Sequence, residues 1–223
     1  MLNQMFFSLL FFSLTILRGD ADEASIVSCG SVVKLKHKET GHHLHSHQIA
    51  WGSGSGQQSV TGHGSNNDPG AMWVVKEGHN GEVCEAGTIV ECGKKIRFEH
   101  AQTGKNLHSH LFTSPISNQQ EVSAYGDNGQ GDTGDNWEVI CDAGKKHWTR
   151  GDAVQFKHSD TGKFLITSAG HKFNQGNCGP GCPIMGQTEV SCGSTRDVSK
   201  LKWLAGQGVY FPAADPHAGK NEL

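Results

Sequence analysis

Apolar and polar residues alternate with a period of two in three stretches of this chain. In "VVKLKHKETG" (32–41), Val33, Leu35 and His37 share one parity and Lys34 and Lys36 the other. "KIRFEHAQTG" (95–104) repeats this with Ile96, Phe98 and His100 against Arg97 and Glu99. "AVQFKHSDTG" (153–162) does so with Val154, Phe156 and His158 against Gln155 and Lys157. Successive residues of a strand point to opposite faces, so this pattern predicts three half-buried strands. Each ends in Thr-Gly (40–41, 103–104 and 161–162), which reads as a turn because glycine takes a positive φ at little steric cost. A second strand is predicted from Leu44, Leu107 and Leu165, which makes three hairpins.

The Thr-Gly pairs lie 63 and 58 residues apart, and two further markers keep the same order. "QQSVTG" from Gln57 is matched by "QQEVSA" from Gln119 and "QTEVSC" from Gln187; a closing tryptophan follows at Trp73, Trp137 and Trp203. Three units of about 60 residues, each too small to bury its own apolar face, favour stacking around a common centre. Closure into a barrel removes the unpaired strand edges that an open sheet would leave. The predicted fold is all-β, a β-trefoil with threefold pseudosymmetry over residues 26–210, built of repeats at about 29–86, 92–145 and 150–210. The three tryptophans should take equivalent core places, with Leu35, Phe98 and Phe156 in a layer around the axis.

Composition narrows the function classes. The net charge is −3 and the longest basic runs are the pairs Lys94-Lys95 and Lys145-Lys146, read as solvated strand ends, which argues against nucleic acid. The apolar run "MFFSLLFFSLTIL", Met5 to Leu17, is shorter than the roughly 20 residues a transmembrane helix needs. It suits the core of a signal peptide, expected over residues 1–21 with cleavage somewhere in 19–24. No other segment approaches membrane-spanning length. The tail 211–223 is expected to be flexible and ends in Lys220, Asn221, Glu222 and Leu223, the Lys-Asp-Glu-Leu retrieval signal with asparagine for aspartate. Residence in the endoplasmic reticulum lumen is therefore expected, or secretion if the altered signal is weak.

Seven cysteines in such a compartment imply disulfides and one remaining thiol. Cys29 and Cys92 begin the first two repeats, and Cys84 and Cys141 lie just past the closing tryptophans. If the start and end of a repeat lie side by side, Cys29–Cys84 and Cys92–Cys141 form, out of the three pairings that four cysteines allow. Cys178, Cys182 and Cys192 belong to the third repeat, where one pair is expected, Cys178 or Cys182 with Cys192. None has Cys-x-x-Cys spacing, which argues against zinc.

His45-Ser46-His47 and His108-Ser109-His110 are the candidate binding surface. Histidine is a common metal ligand, but the two pairs should lie on different repeats and the third copy carries Ile166 and Ser168, so no metal is expected. Either the histidines bond neighbouring loop carbonyls and fix the hairpins, or they form two polar patches suited to sugar hydroxyls or a protein partner. Asp127, Asp132 and Asp135 lack the spacing of a calcium loop and read as a solvated turn. No nucleophile-elbow, P-loop or His-Glu-x-x-His motif occurs, so no catalytic residue is assigned.

The doubled Thr-Gly-x-x-Leu-His-Ser-His, the Gln-Gln-x-Val segments and the closing tryptophans resemble the MIR domain, a β-trefoil also found in protein O-mannosyltransferases and in inositol trisphosphate and ryanodine receptors. "CGSVVKL" (29–35), residues 51–62, "FTSPISNQQEVSA" (112–124) and the tail more closely resemble the stromal cell-derived factor 2 family. That resemblance implies a lumenal chaperone accessory without cofactor or enzymatic activity. It implies association with a J-domain co-chaperone and, through it, BiP, and help in keeping unfolded client proteins soluble. A glycan-binding module of the secretory pathway is the alternative expectation.

Overall fold

The structure is a computed structural model that describes residues 25–214; the expected signal peptide and the Lys220–Leu223 signal lie outside these residues. The described chain is all-β, with twelve strands: β1 (Val32–His37), β2 (His43–Ala50), β3 (Gln58–His63), β4 (Trp73–Glu77), β5 (Lys95–His100), β6 (Asn106–Thr113), β7 (Gln120–Tyr125), β8 (Trp137–Ile140), β9 (Gln155–His158), β10 (Phe164–Lys172), β11 (Thr188–Gly193) and β12 (Trp203–Val209). The predicted second strands start one residue earlier than read, at His43, Asn106 and Phe164. One short helix, Gln175–Cys178, lies between β10 and β11, and no described helix is long and apolar enough to cross a membrane.

The pairings close on themselves. Strands β1, β4, β5, β8 and β9 are successive antiparallel neighbours, β12 pairs back onto β1, and a bridge from Val154 to Trp203 completes the ring. The hairpins β2–β3, β6–β7 and β10–β11 meet at one end, where β3, β7 and β11 pair with one another. Equivalent registers recur: His45 faces Thr61, His108 faces Ser123 and Ile166 faces Ser191.

The period-two pattern filled this barrel. Val33, Leu35, Ile96, Phe98, Val154 and Phe156 are buried in one cluster with Trp73, Trp137 and Trp203. Trp148 joins them with its ring edge-on to Phe98 and Phe156, at centroid distances of 6.1 and 5.5 Å. Each closing tryptophan donates its indole N–H to a backbone carbonyl: Trp73 to Leu44 at 2.9 Å, Trp137 to Leu107 at 2.9 Å and Trp203 to Leu165 at 3.0 Å. His37, His100 and His158 pack against these rings and hold the Thr-Gly turns, their Nδ1 atoms 3.0, 2.9 and 2.9 Å from the hydroxyls of Thr40, Thr103 and Thr161. His100 and His158 also donate from Nε2 to the carbonyls of Gly70 and Gly134, at 3.0 and 2.9 Å.

Two expectations change. The polar faces of the first strands are not all solvated: Lys34 and Arg97 are buried. Arg97 donates to the carbonyls of Glu77 and Gly129 and to the Glu77 carboxylate, because loops cover the outside of β5. The cysteines of the third unit also pair differently. Cys29–Cys84 and Cys92–Cys141 are bonded, and so is Cys178–Cys182, while Cys192 is a buried thiol. Cys192 faces the barrel interior on β11, opposite Leu165, where burial pushes its pKa up to about 12. The insertion instead folds onto Trp51 and Phe173, in a satellite cluster with Ile184, Ile116 and both bonded cysteines. Gly179 and Gly181, at φ of +83° and +76°, let the chain turn back within that short ring.

The chain-entropy account ranks these bonds by loop length. Removing Cys92–Cys141, which spans 49 residues, should cost about 4 kcal/mol, and removing Cys178–Cys182, which spans 4, about 2 kcal/mol. Urea unfolding of the paired Cys→Ser variants checks the order.

Candidate binding surface

Each histidine pair sits where a hairpin passes a one-turn 3₁₀ segment. In the first unit that segment is Pro69–Ala71, capped by Asp68, whose Oδ1 accepts the Gly70 N–H at 2.9 Å. Proline suits the first position because its missing N–H would have no partner there. The other oxygen, Oδ2, accepts the Nδ1–H of His45 at 2.6 Å. This leaves His45 Nε2 as an acceptor, and His47 Nδ1 donates to it at 2.7 Å. His63 approaches the same carboxylate at 3.4 Å. The sequence thus builds a chain Asp68–His45–His47 along one strand face, as i and i+2 residues allow.

The second unit reaches a similar end differently. Its 3₁₀ segment, Thr133–Asp135, carries a capping box: Asp132 accepts the Gly134 N–H at 2.8 Å and Asp135 accepts the Asp132 N–H at 3.0 Å. His108 Nδ1 donates to Asp135 at 2.9 Å, and Asn106 adds a bond to the same carboxylate at 3.1 Å. Asp135 is fully buried, so the reading of Asp127, Asp132 and Asp135 as one solvated turn holds for the first two and fails for the third. His108 Nδ1 and one oxygen of each of Asp132 and Asp135 lie within 4.8 Å of one another. Asp135 accepts three N–H bonds, from His108, Asn106 and the Asp132 backbone, which join these residues in one hydrogen-bond network. His110 donates to the buried Glu121 at 3.2 Å. Glu121 also receives the Ser55 N–H and hydroxyl, and so ties down the glycine-rich loop 52–56.

Ser46 and Ser109 are interior residues. Their hydroxyls donate to the carbonyls of Ser59 and Glu121 at 2.8 and 2.7 Å and accept from Gln58 and Gln120 at 2.8 and 2.7 Å. The same glutamines reach Thr103 and Thr161 of the following units, at 3.0 and 3.3 Å. The repeated Gln is therefore a clamp between neighbouring units. Of the six residues proposed as a surface, His45, Ser46, His108 and Ser109 are buried, and only His47 and His110 reach solvent in part. The rings of His45, His108 and His110 bond the carboxylates of Asp68, Asp135 and Glu121 rather than loop carbonyls, and His47 bonds His45; sequence reasoning does not find these carboxylate partners. For Asp68 a signal existed: "DPGAMW" (68–73) and "DTGDNW" (132–137) share an aspartate and a glycine at fixed distances before the tryptophan, although in the second segment the bond to histidine comes from Asp135 instead. The glycine is needed because a Cβ on Gly70 or Gly134 would lie 2.6 or 2.5 Å from the facing histidine ring.

Beside the second pair lies an open cleft of about 550 Å³, with Leu111, His110 and Tyr125 on its walls and Asp132 and Asp160 among its lining residues. A wider cleft of about 730 Å³ beside Cys84 is lined by both signs of charge, Glu77, Glu82 and Glu85 with Lys94 and Lys95.

Within this barrel, residues 59–161 match the MIR domain. The stromal cell-derived factor 2-like protein of Dictyostelium discoideum is 46% identical over 188 residues, 83% of this chain and 84% of that protein. Human stromal cell-derived factor 2 is 43% identical over 87% of each chain. The crystal structure of the SDF2-like protein from Arabidopsis thaliana superposes with a TM-score of 0.77 at 38% identity, covering 85% of this chain and 99% of that one. The chain belongs to the stromal cell-derived factor 2 family.

Burial holds the His45 pKa at about 4 rather than 6.5; the attraction of Asp68 opposes this shift without overcoming it, and the neighbouring His47 adds to it. Burial likewise lowers His37, His43, His47, His100 and His158. The unfolded chain thus binds these protons first, so stability is complete above about pH 6.5 and falls as the pH drops toward 4. His45 alone accounts for up to about 3 kcal/mol of that loss. Urea midpoints across this range check it, with a shallower fall expected for His45→Gln.

Proposed function

We propose that this protein is a non-enzymatic accessory of protein quality control in the endoplasmic reticulum lumen. It associates with a J-domain co-chaperone and BiP and helps keep unfolded client proteins soluble. In this reading residues 26–210 form a β-trefoil with threefold pseudosymmetry, which the recurring indole–carbonyl bonds and the mutual pairing of β3, β7 and β11 support. Residues 1–21 act as the signal peptide and Lys220–Leu223 as the retrieval signal.

The observation that carries the reading is where the reactive-looking groups point. The histidines and carboxylates bond one another inside the fold, while Leu111 and Phe112 stand 87% and 50% exposed at the end of β6. Such a surface suits protein contact. Affinity purification from microsomes under gentle conditions, followed by mass spectrometry, should recover the J-domain co-chaperone and BiP. Recovery of neither, with the bait soluble, overturns the proposal.

A glycan-binding role is favoured by one feature, the half-exposed ring of Tyr125 beside Gln57 and Asp132, a stacking face next to polar groups. It predicts saturable binding on a glycan array that Tyr125→Ala abolishes, and a flat array removes it. His45→Ala and His108→Ala would be poor tests, because each leaves a buried carboxylate without its histidine.

A further inference from the structure

The cleft beside His108 differs from the matching position beside His45 in ways that point to a ligand. By strand register Tyr125 stands where the first unit has His63, and Leu111 where it has Gln48. In the first unit Asp68 is buried, with His45 at 2.6 Å and His63 at 3.4 Å closed over it. In the second, His108 is held at 2.9 Å by Asp135, which stands where the first unit has Ala71. The added carboxylate leaves Asp132, 3.6 Å from His108, with its side chain 55% exposed. Asp160, on the turn of the third unit, is exposed on the same cleft and accepts the Thr133 hydroxyl at 2.8 Å; beside the first hairpin the matching turn is that of the second unit, with neutral Gln102 in this place.

The cleft therefore has two solvent-facing carboxylates, no lysine or arginine among its lining residues, and an apolar wall of Leu111 and Tyr125. An anionic floor beside exposed apolar surface is complementary to a cation carried on a partly apolar chain. Charge-assisted hydrogen bonds to a carboxylate are stronger than neutral ones, and an aromatic face attracts a guanidinium. A neutral sugar could bond these carboxylates through its hydroxyls but would make no use of their charge. We propose that this cleft binds an arginine or lysine side chain on an extended polypeptide segment, its head group at Asp132 and Asp160 and a neighbouring apolar residue against Leu111 and Tyr125. The inference rests on the client-binding reading above and names the kind of segment such a client presents.

The test uses the full chain and a fluorescein-labelled peptide of alternating leucine and arginine, read by fluorescence anisotropy. Replacing arginine by isosteric, neutral citrulline should weaken binding about tenfold or more, and added salt should weaken the arginine peptide further. The double variant D132N/D160N should show the same loss, asparagine keeping the capping function at position 132. Leu111→Ser changes a solvent-facing side chain and so reads the surface even if the double variant folds poorly; it should weaken both peptides. No binding of the arginine peptide, equal affinity for the citrulline peptide, or binding unchanged by D132N/D160N and by Leu111→Ser overturns the proposal. Displacement of the peptide by a neutral oligosaccharide, insensitive to salt, would assign the cleft to sugar and overturn it as well. Co-chaperone recovery, measured separately on wild type and D132N/D160N, keeps the two readings apart: its loss from wild type speaks against the accessory role, while the cleft stands or falls on the peptides.

Discussion

The bond from a buried indole N–H to one backbone carbonyl constrains everything else in this molecule. A tryptophan contributes a large apolar area to a core, but its N–H must find an acceptor there. In each unit the acceptor is the carbonyl of the leucine that begins the inward face of a hairpin, Leu44, Leu107 or Leu165. The residue after that leucine is His45, His108 or Ile166. Fixing the leucine carbonyl therefore fixes the histidine against the 3₁₀ turn that immediately precedes the same tryptophan. The core bond and the surface chemistry are one positional decision, and leaving such a carbonyl unpaired would cost about 1–3 kcal/mol.

Because the recurring bonds run mainly through backbone carbonyls, short hydroxyls and the clamp glutamines, the outward positions are free to differ. Gln48, Leu111 and Ala169 occupy equivalent places, as do His63 and Tyr125. The third unit exchanges the histidine for Ile166 and replaces the Ser–Gln bond with Thr167 donating to Thr188 at 3.0 Å. The scaffold persists while the exposed chemistry diverges, since hydrogen bonds to the backbone tolerate changes in the side chains that face water.

This division explains what could be read from sequence. Strands, turns and closing tryptophans follow from period-two burial and from markers that recur in order, both local properties. Placing Cys29 and Cys92 at repeat starts, and Cys84 and Cys141 after the tryptophans, was enough to pair them. The remaining cysteines depend on a non-local fact, the insertion folding onto Trp51 and Phe173 while Cys192 turns inward on β11. Asp135 was unreadable for a related reason. A carboxylate in a glycine-rich turn is solvated by default, and the donors that hold this one inside include His108 and Asn106, brought to it by β6. Lys34 and Arg97 are buried by loops whose paths alternation does not encode.

The buried carboxylates also bear on how the surface works. Asp68, Asp135 and Glu121 each accept two or more hydrogen bonds from different segments, so three loops are held by groups that are costly to leave unpaired in a low-dielectric interior. Loops fixed in this way lose little conformational freedom when something binds to them, and the ordering cost of association falls mainly on the partner. For a flexible, unfolded partner that cost is large, which favours weak and reversible contact with many sequences over tight contact with one. In the proposed role, a barrel presenting Leu111, Phe112 and Tyr125 beside the exposed carboxylates of Asp132 and Asp160 would owe the energetics of a transient holding surface to the interior network as well as to the exposed residues.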